Sequence, residues 1–192
     1  MAGMPTHVAL LRGINVGGNK KVAMADLRSV VTELGHSEVS TYINSGNVLF
    51  TPPPGQDSAA MAREITEAIA DKLGVSSTVV VVTRDELAQV IADNPFPDEP
   101  EPRRVHAVFL NMTPSPDLLE KIDAAVAAAA AKGSRDSVRA IGRVLYLHTP
   151  DGFGTSQVAE ATMKIVGAPK TGVVATARNW ATTNKLLALC DA

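Results

Sequence analysis

Cysteine is nearly absent: Cys190 is the only one in 192 residues. That excludes a disulfide framework or a thiolate metal cluster built within one chain, and it points to a reducing compartment. Aromatic residues make up 4% of the chain, which leaves few candidates for a base-stacking platform. No stretch approaches the ~18 consecutive apolar residues of a membrane span. The first residues, MAGMPTHVALLRG, place no basic segment ahead of their short apolar run. The expectation is a cytoplasmic chain with no membrane partner. Neither sign of charge dominates either. Lys and Arg number 18 against 20 Asp and Glu, a net charge of −2, so the molecule as a whole has no field to draw in nucleic acid, and a charged partner must be met locally. His7, His36, His106 and His148 fall singly, without the spacing of a metal site, so neither a metal nor a cofactor is expected.

What is present is a chain able to bury a core, with 45% hydrophobic and 20% charged residues. The short apolar run His7 to Leu11 predicts a strand, followed by the glycine- and asparagine-rich stretch Arg12 to Asn19. Met24, Leu27, Val30, Val31 and Leu34 have the i, i+3, i+4 spacing of an amphipathic helix, and Gly35 sits where a C-cap belongs. Val39 to Ile43 and Val48 to Thr51 predict a hairpin around Asn44-Ser45-Gly46-Asn47. A second helix ends at Gly74, and Thr78 to Thr83 predicts a valine-rich strand. The order βαββαβ is that of a ferredoxin-like unit with an antiparallel sheet.

A helix from Asp85 to Ala92 leads into a proline-rich stretch, read as a linker over 94–104 because repeated prolines forbid helix and central strand. Beyond it the grammar repeats: strand Val105 to Leu110, helix Asp117 to Ala131, a hairpin of Ser137 to Ala140 and Val144 to His148, helix Gln157 to Val166, strand Gly172 to Ala175. The expectation is an α+β protein of two tandem ferredoxin-like subdomains, residues 1–93 and 105–192, the second carrying a C-terminal helix that begins near Ala177. Ser45 to Phe50 can be laid on Ile141 to Tyr146 without a gap, as a duplication would allow.

Four segments carry a resemblance: Ala9-Leu10-Leu11-Arg12-Gly13-Ile14-Asn15-Val16-Gly17-Gly18, Met24-Ala25-Asp26-Leu27-Arg28, Ser45-Gly46-Asn47-Val48, and Thr176-Ala177-Arg178-Asn179-Trp180 with Thr183 and Lys185-Leu186. Together they resemble the domain of unknown function 1697 family, over about residues 6 to 189. The resemblance implies a conserved bacterial protein with a two-subdomain α+β fold and no assigned reaction. Where relatives often have Ser-Lys, this chain has Ser156-Gln157, so no lysine role carries over there.

The loop Arg12 to Lys21 combines Gly13, Gly17 and Gly18 with Arg12, Lys20, Lys21, Asn15 and Asn19, between a strand and a helix. Glycines let backbone N–H groups approach an anion, and a helix N-terminus adds partial positive charge. The spacing is neither that of a P-loop nor that of a dinucleotide fingerprint, and a purely geometric glycine loop is the alternative. In a helix beginning near Ala177, Arg178, Thr182 and Lys185 would share one face and could grip a phosphate or carboxylate. Asn179 or Thr176 would alternatively be its N-cap. From these polar motifs a ligand set is expected to converge in a groove between the subdomains: Arg12, Asn15, Gly17, Gly18, Lys20, Ser45, Asn47, Ser156, Arg178, Asn179 and Lys185, holding a small anionic ligand. The rival readings are a nucleic-acid-binding module and an assembly protein with apolar exposed sheet faces. No catalytic residue is identified, since Ser45 and Ser156 lack a nucleophile elbow and Cys190 lacks an evident base.

Overall fold

The computed structural model describes residues 3–18 and 20–192, so Asn19 lies outside the described residues. Strand β1 (His7–Leu11) leads through the glycine-rich loop to α1 (Met24–Glu33), the hairpin β2 (Ser37–Tyr42) and β3 (Asn47–Thr51), α2 (Ser58–Leu73) and β4 (Val79–Thr83). These strands form a four-stranded sheet in the order β2-β3-β1-β4, each neighbouring pair antiparallel. One face packs on the two helices: Ala9, Leu11, Val48, Phe50, Val79 and Val81 meet Leu27 and Val31 of α1 and Met61, Ile65 and Ile69 of α2. The alternate residues Val8, Leu10, Leu49, Val80 and Val82 belong to the opposite face by the two-residue period of a strand, and all are at most 4% exposed. β4 is buried on both faces, which explains why it reads as an unbroken valine run.

Helix α3 (Arg84–Ala92) precedes β5 (Val105–Leu110), α4 (Pro116–Ala130), the hairpin β6 (Ser137–Ile141) and β7 (Val144–His148), α5 (Gln157–Val166), β8 (Ala175–Asn179) and α6 (Trp180–Cys190). The second sheet has the order β6-β7-β5-β8, again antiparallel throughout. Val108, Leu110, Leu145 and Leu147 pack under α4 and α5, against Leu118, Ile122 and Val158. The protein is thus α+β, with two four-stranded antiparallel sheets and six α-helices among the described residues.

The described residues up to 89 together with 185–192 make one compact unit and residues 90–184 another. The proline-rich stretch 94–104 falls inside the second unit. There it includes a 3-10 turn at Pro102–Arg104, and it is held where Glu99 bonds the His148 ring at 2.7 Å and Phe96 stacks on that ring at 5.1 Å.

Two elements are displaced by three residues or more from the sequence reading. The last strand is Ala175–Asn179 instead of Gly172 to Ala175, because Gly172 takes a left-handed conformation after the 3-10 turn Pro169–Thr171. Pairing with β5 then runs from Leu110↔Ala175 to His106↔Asn179. Helix α6 consequently starts at Trp180, not near Ala177.

Candidate functional site

The glycine-rich loop is built by its own polar groups. Its start is pinned where the Arg12 backbone N–H donates to the Thr78 carbonyl at 2.9 Å and Ser77 Oγ donates to the Arg12 carbonyl at 2.8 Å. Asn15 sits at φ 53, a left-handed conformation that asparagine tolerates better than most residues. Its amide group donates to the Val22 carbonyl at 2.9 Å and the Asn44 carbonyl at 2.8 Å, while its Oδ1 accepts from the Val22 N–H at 2.9 Å. One side chain therefore ties the end of the loop to its beginning and to the β2–β3 hairpin. Gly17 and Gly18 have φ 65 and 80, and Lys20 and Lys21 are exposed.

The loop delivers the chain to α1 without a cap. Ala23 is the N-cap residue and offers no side-chain hydrogen bond. By contrast Asp57 accepts from the third residue of α2, Ser115 does so for α4 and Ser156 for α5. The first N–H groups of a helix have no intrahelical acceptor, so those of α1 are not met by the capping oxygen that a Ser, Asp or Asn would supply. Beside them lies an open pocket of about 540 Å³, lined by Asn15, Gly18, Lys21, Ala23, Met24 and Asn44. Lys21 supplies a positive charge, and the glycine at 18 leaves backbone accessible.

Ser45 and Asn47 serve the hairpin. Asn47 is fully buried, and its amide donates to the Tyr42 carbonyl at 3.0 Å and to Ser45 Oγ at 3.2 Å. Ser156 accepts from the Ala159 N–H at 2.8 Å as the cap of α5 and donates to Asp136 Oδ2 at 2.7 Å. Asn179 Oδ1 accepts from the Thr182 N–H at 2.8 Å, which makes it the N-cap of α6. Lys185 is exposed on that helix.

Arg178 lies in β8, so the helix face expected to join it to Thr182 and Lys185 does not exist. Arg178 is extended, and Thr182 is buried. Arg178 is 7% exposed; its guanidinium donates to Thr176 Oγ1 at 2.7 Å and the Ala177 carbonyl at 2.8 Å and has its pKa pushed down to about 10 by burial. It stays protonated at neutral pH.

The sequence-expected residues thus divide. Asn15 and Gly18 line the pocket at the start of α1, with Arg12, Gly17 and Lys20 in the same loop. Ser45, Asn47, Ser156 and Asn179 use polar atoms to hold a turn or start a helix. The sequence reading left Asn44 and Lys21 out of its ligand set and did not weigh Ala23. The signal for Ala23 was readable, since an alanine directly before a periodic helix is a missing cap. Among the described residues no group of three or more His, Cys, Asp or Glu could hold a metal ion, and no helix is long and apolar enough to cross a membrane.

Comparison with known proteins gives a family and a fold. The family described as "Protein of unknown function (DUF1697)" matches residues 4–146. No curated protein sequence matches the chain. Among solved structures, a conserved bacterial protein from Streptococcus pneumoniae is 22% identical, covers 98% of this chain and 99% of its own, and superposes with a TM-score of 0.64. At that identity the likeness is one of fold.

Proposed function

The chain belongs to the DUF1697 family of proteins of unknown function, and on that premise we propose that its first unit binds a small phosphate- or carboxylate-bearing anion where the glycine-rich loop meets α1. The observation that carries this is the uncapped start of α1, opening beside a pocket that Lys21 and Gly18 line. An anion there would take the place of the missing capping oxygen, gaining both the free N–H groups and the positive end of the helix dipole. Arg12 and Lys20, in the same loop, add local positive charge to a chain whose net charge is −2.

The element order and the β2-β3-β1-β4 strand order support reading both units as ferredoxin-like. RNA-recognition modules of that topology stack bases on an exposed sheet face. Here Val8, Leu10, Leu49, Val80 and Val82, at the centre of the first sheet's face away from the helices, are aliphatic and at most 4% exposed, which favours the small anion over nucleic acid. The single cysteine is the ground for placing the protein in the cytoplasm.

A thermal-shift titration with inorganic phosphate and with acetate tests the proposal. At about 100 times the dissociation constant a ligand adds ~2.7 kcal/mol, a rise of roughly 5–10 °C for a chain of this size. Lys21→Ala and Arg12→Ala are expected to reduce the rise. An equal rise in all three chains, or none in the native chain, contradicts it.

A further inference from the structure

A second candidate site lies on the first unit, away from the glycine-rich loop. A cavity of about 500 Å³ is lined by Met4, Pro5, His7 and Cys190, together with Arg84, Asp85 and Asp191. Its volume falls in the range of small-molecule sites, and Met4, Pro5 and Cys190 give it apolar surface. Cys190 is buried, whereas the Arg84 and Asp191 side chains are 41% and 44% exposed. The cavity thus joins a charged, solvent-facing ion pair to an apolar lining in which Cys190 is buried and Met4 is 57% exposed.

The charged side is already a carboxylate-binding arrangement. Arg84 Nε donates to Asp191 Oδ1 at 2.8 Å and Nη2 donates to Asp191 Oδ2 at 3.1 Å. Two parallel N–H bonds onto one carboxylate are the geometry by which arginine recognises carboxylates generally. The arginine is held for this task. Its backbone N–H donates to the Thr6 carbonyl at 2.8 Å, and Nη1 donates to Asp85 Oδ1 at 3.0 Å. The start of α3 is independently satisfied by a reciprocal box, with the Glu86 N–H on Thr83 Oγ1 at 3.0 Å and the Thr83 N–H on Glu86 Oε2 at 2.9 Å. Asp191 follows the last residue of α6, with its backbone N–H on the Leu187 carbonyl at 3.1 Å, so its carboxylate can leave the fork by side-chain rotation with that bond kept.

We propose that this cavity binds a small monocarboxylic acid with an apolar body, and that the Asp191 carboxylate occupies the arginine fork in the ligand's absence. The ligand's carboxylate would replace that of Asp191 on Arg84, and its hydrocarbon part would lie toward Met4, Pro5 and Cys190. The fork keeps an ionised carboxylate throughout: Arg84 holds the Asp191 carboxyl below the usual carboxylate range, and the ligand's carboxylate takes its place as Asp191 swings toward solvent. Asp191 therefore acts as a built-in competitor, and removing its charge unmasks the site.

Calorimetric titration with hexanoate, with hexan-1-ol as the neutral control, tests this on the full chain. Asp191→Asn is expected to bind hexanoate at least tenfold more tightly than the native chain, and the Met4 methyl resonance should shift saturably during the titration. Arg84→Gln and the charge-retaining Arg84→Lys, each combined with Asp191→Asn, are expected to lose that gain, because neither side chain offers the fork. Resonances separate this site from the anion site proposed for the loop: the Arg84 variants should abolish the saturable Met4 shift while leaving any shift of the Gly18 amide with hexanoate in place. The proposal is overturned if Asp191→Asn, folded as judged by circular dichroism, binds hexanoate no more tightly than the native chain. It is equally overturned if hexan-1-ol binds as well, or if hexanoate binds while the Met4 resonance stays still.

Discussion

Gly46 shows how much of the glycine-rich region depends on single residues. It has φ 86, and a Cβ added there would come within 2.8 Å of the Leu11 Cβ and 2.9 Å of two Ile14 side-chain carbons. Both the backbone angle and the close approach exclude a side chain, so Gly46→Ala should cost about 3 kcal/mol, read as a lower midpoint in urea unfolding. Gly17 and Gly18 also have positive φ, but an added Cβ meets nothing within 4 Å. Among the histidines, His106 is stacked on Phe153 at 3.9 Å, and burial pushes its pKa down to about 4. The charged form is thus disfavoured in the folded state. Stability from this residue is fully present above the unfolded value of 6.5, is lost as pH falls from there, and is gone below about 4. A difference of that size amounts to about 3 kcal/mol. His106→Phe, which keeps a ring for Phe153, should remove that part of the loss when unfolding is measured at pH 7, 5.5 and 4. His7 and His36 are also lowered by burial, so a smaller slope of the same sign should remain in the variant.

At the scale of elements, the capping pattern yields the sharpest contrast. Asp57 caps α2 through the Ala60 N–H at 3.0 Å, and Asp57→Ala should cost about 1 kcal/mol. The converse change, Ala23→Asp, supplies α1 with the oxygen it lacks. It should stabilise the free protein by about 1 kcal/mol and at the same time weaken phosphate binding, because the new carboxylate occupies the same N–H groups and repels the anion. A gain in stability with undiminished phosphate binding would place the anion elsewhere.

The elements most legible in the sequence are those whose signals are local. β1 spans His7–Leu11 as read, α2 stops before Gly74 at φ 65, and the first hairpin turns through Gly46. β8 was misplaced because Val173 and Val174 look more strand-like than Arg178 and Asn179, while the strand's limits are fixed by pairing with β5, which no local window contains. That same error hid Arg178: its burial follows from lying in a sheet, so a residue read as an exposed clamp is a buried one. Polar residues also mislead when their role is to hold backbone. Asn15 and Asn47 look like ligand contacts by composition, but the carbonyls of Val22, Asn44 and Tyr42 engage their amide groups.

Across the whole molecule, one α+β arrangement is used twice, with different connections at corresponding places. The first hairpin pairs Tyr42 with Asn47 across a four-residue loop that holds Ile43 at φ 48. The second pairs Ile141 with Val144 across Gly142-Arg143 alone. The gapless match read between the two hairpins therefore fails in the loop and along the outgoing strand: it lays Val48 and Phe50, which pack on the helices, over Val144 and Tyr146, whereas the β7 residues packed on the helices are Leu145 and Leu147. Repeated arrangements accommodate distinct sites through such loops, and the proposed anion site belongs to the first unit because α4, which follows β5 as α1 follows β1, has its start capped by Ser115. With a net charge of −2, attraction to the anion is local and partly solvent-exposed, so affinity should fall as ionic strength rises. The most direct measurement is a phosphate titration followed by the backbone amide resonances of the whole chain. The account predicts that Gly18, Met24, Ala25 and Asp26 shift most and saturate together. Saturable shifts centred on other residues, or none at these four, would contradict it.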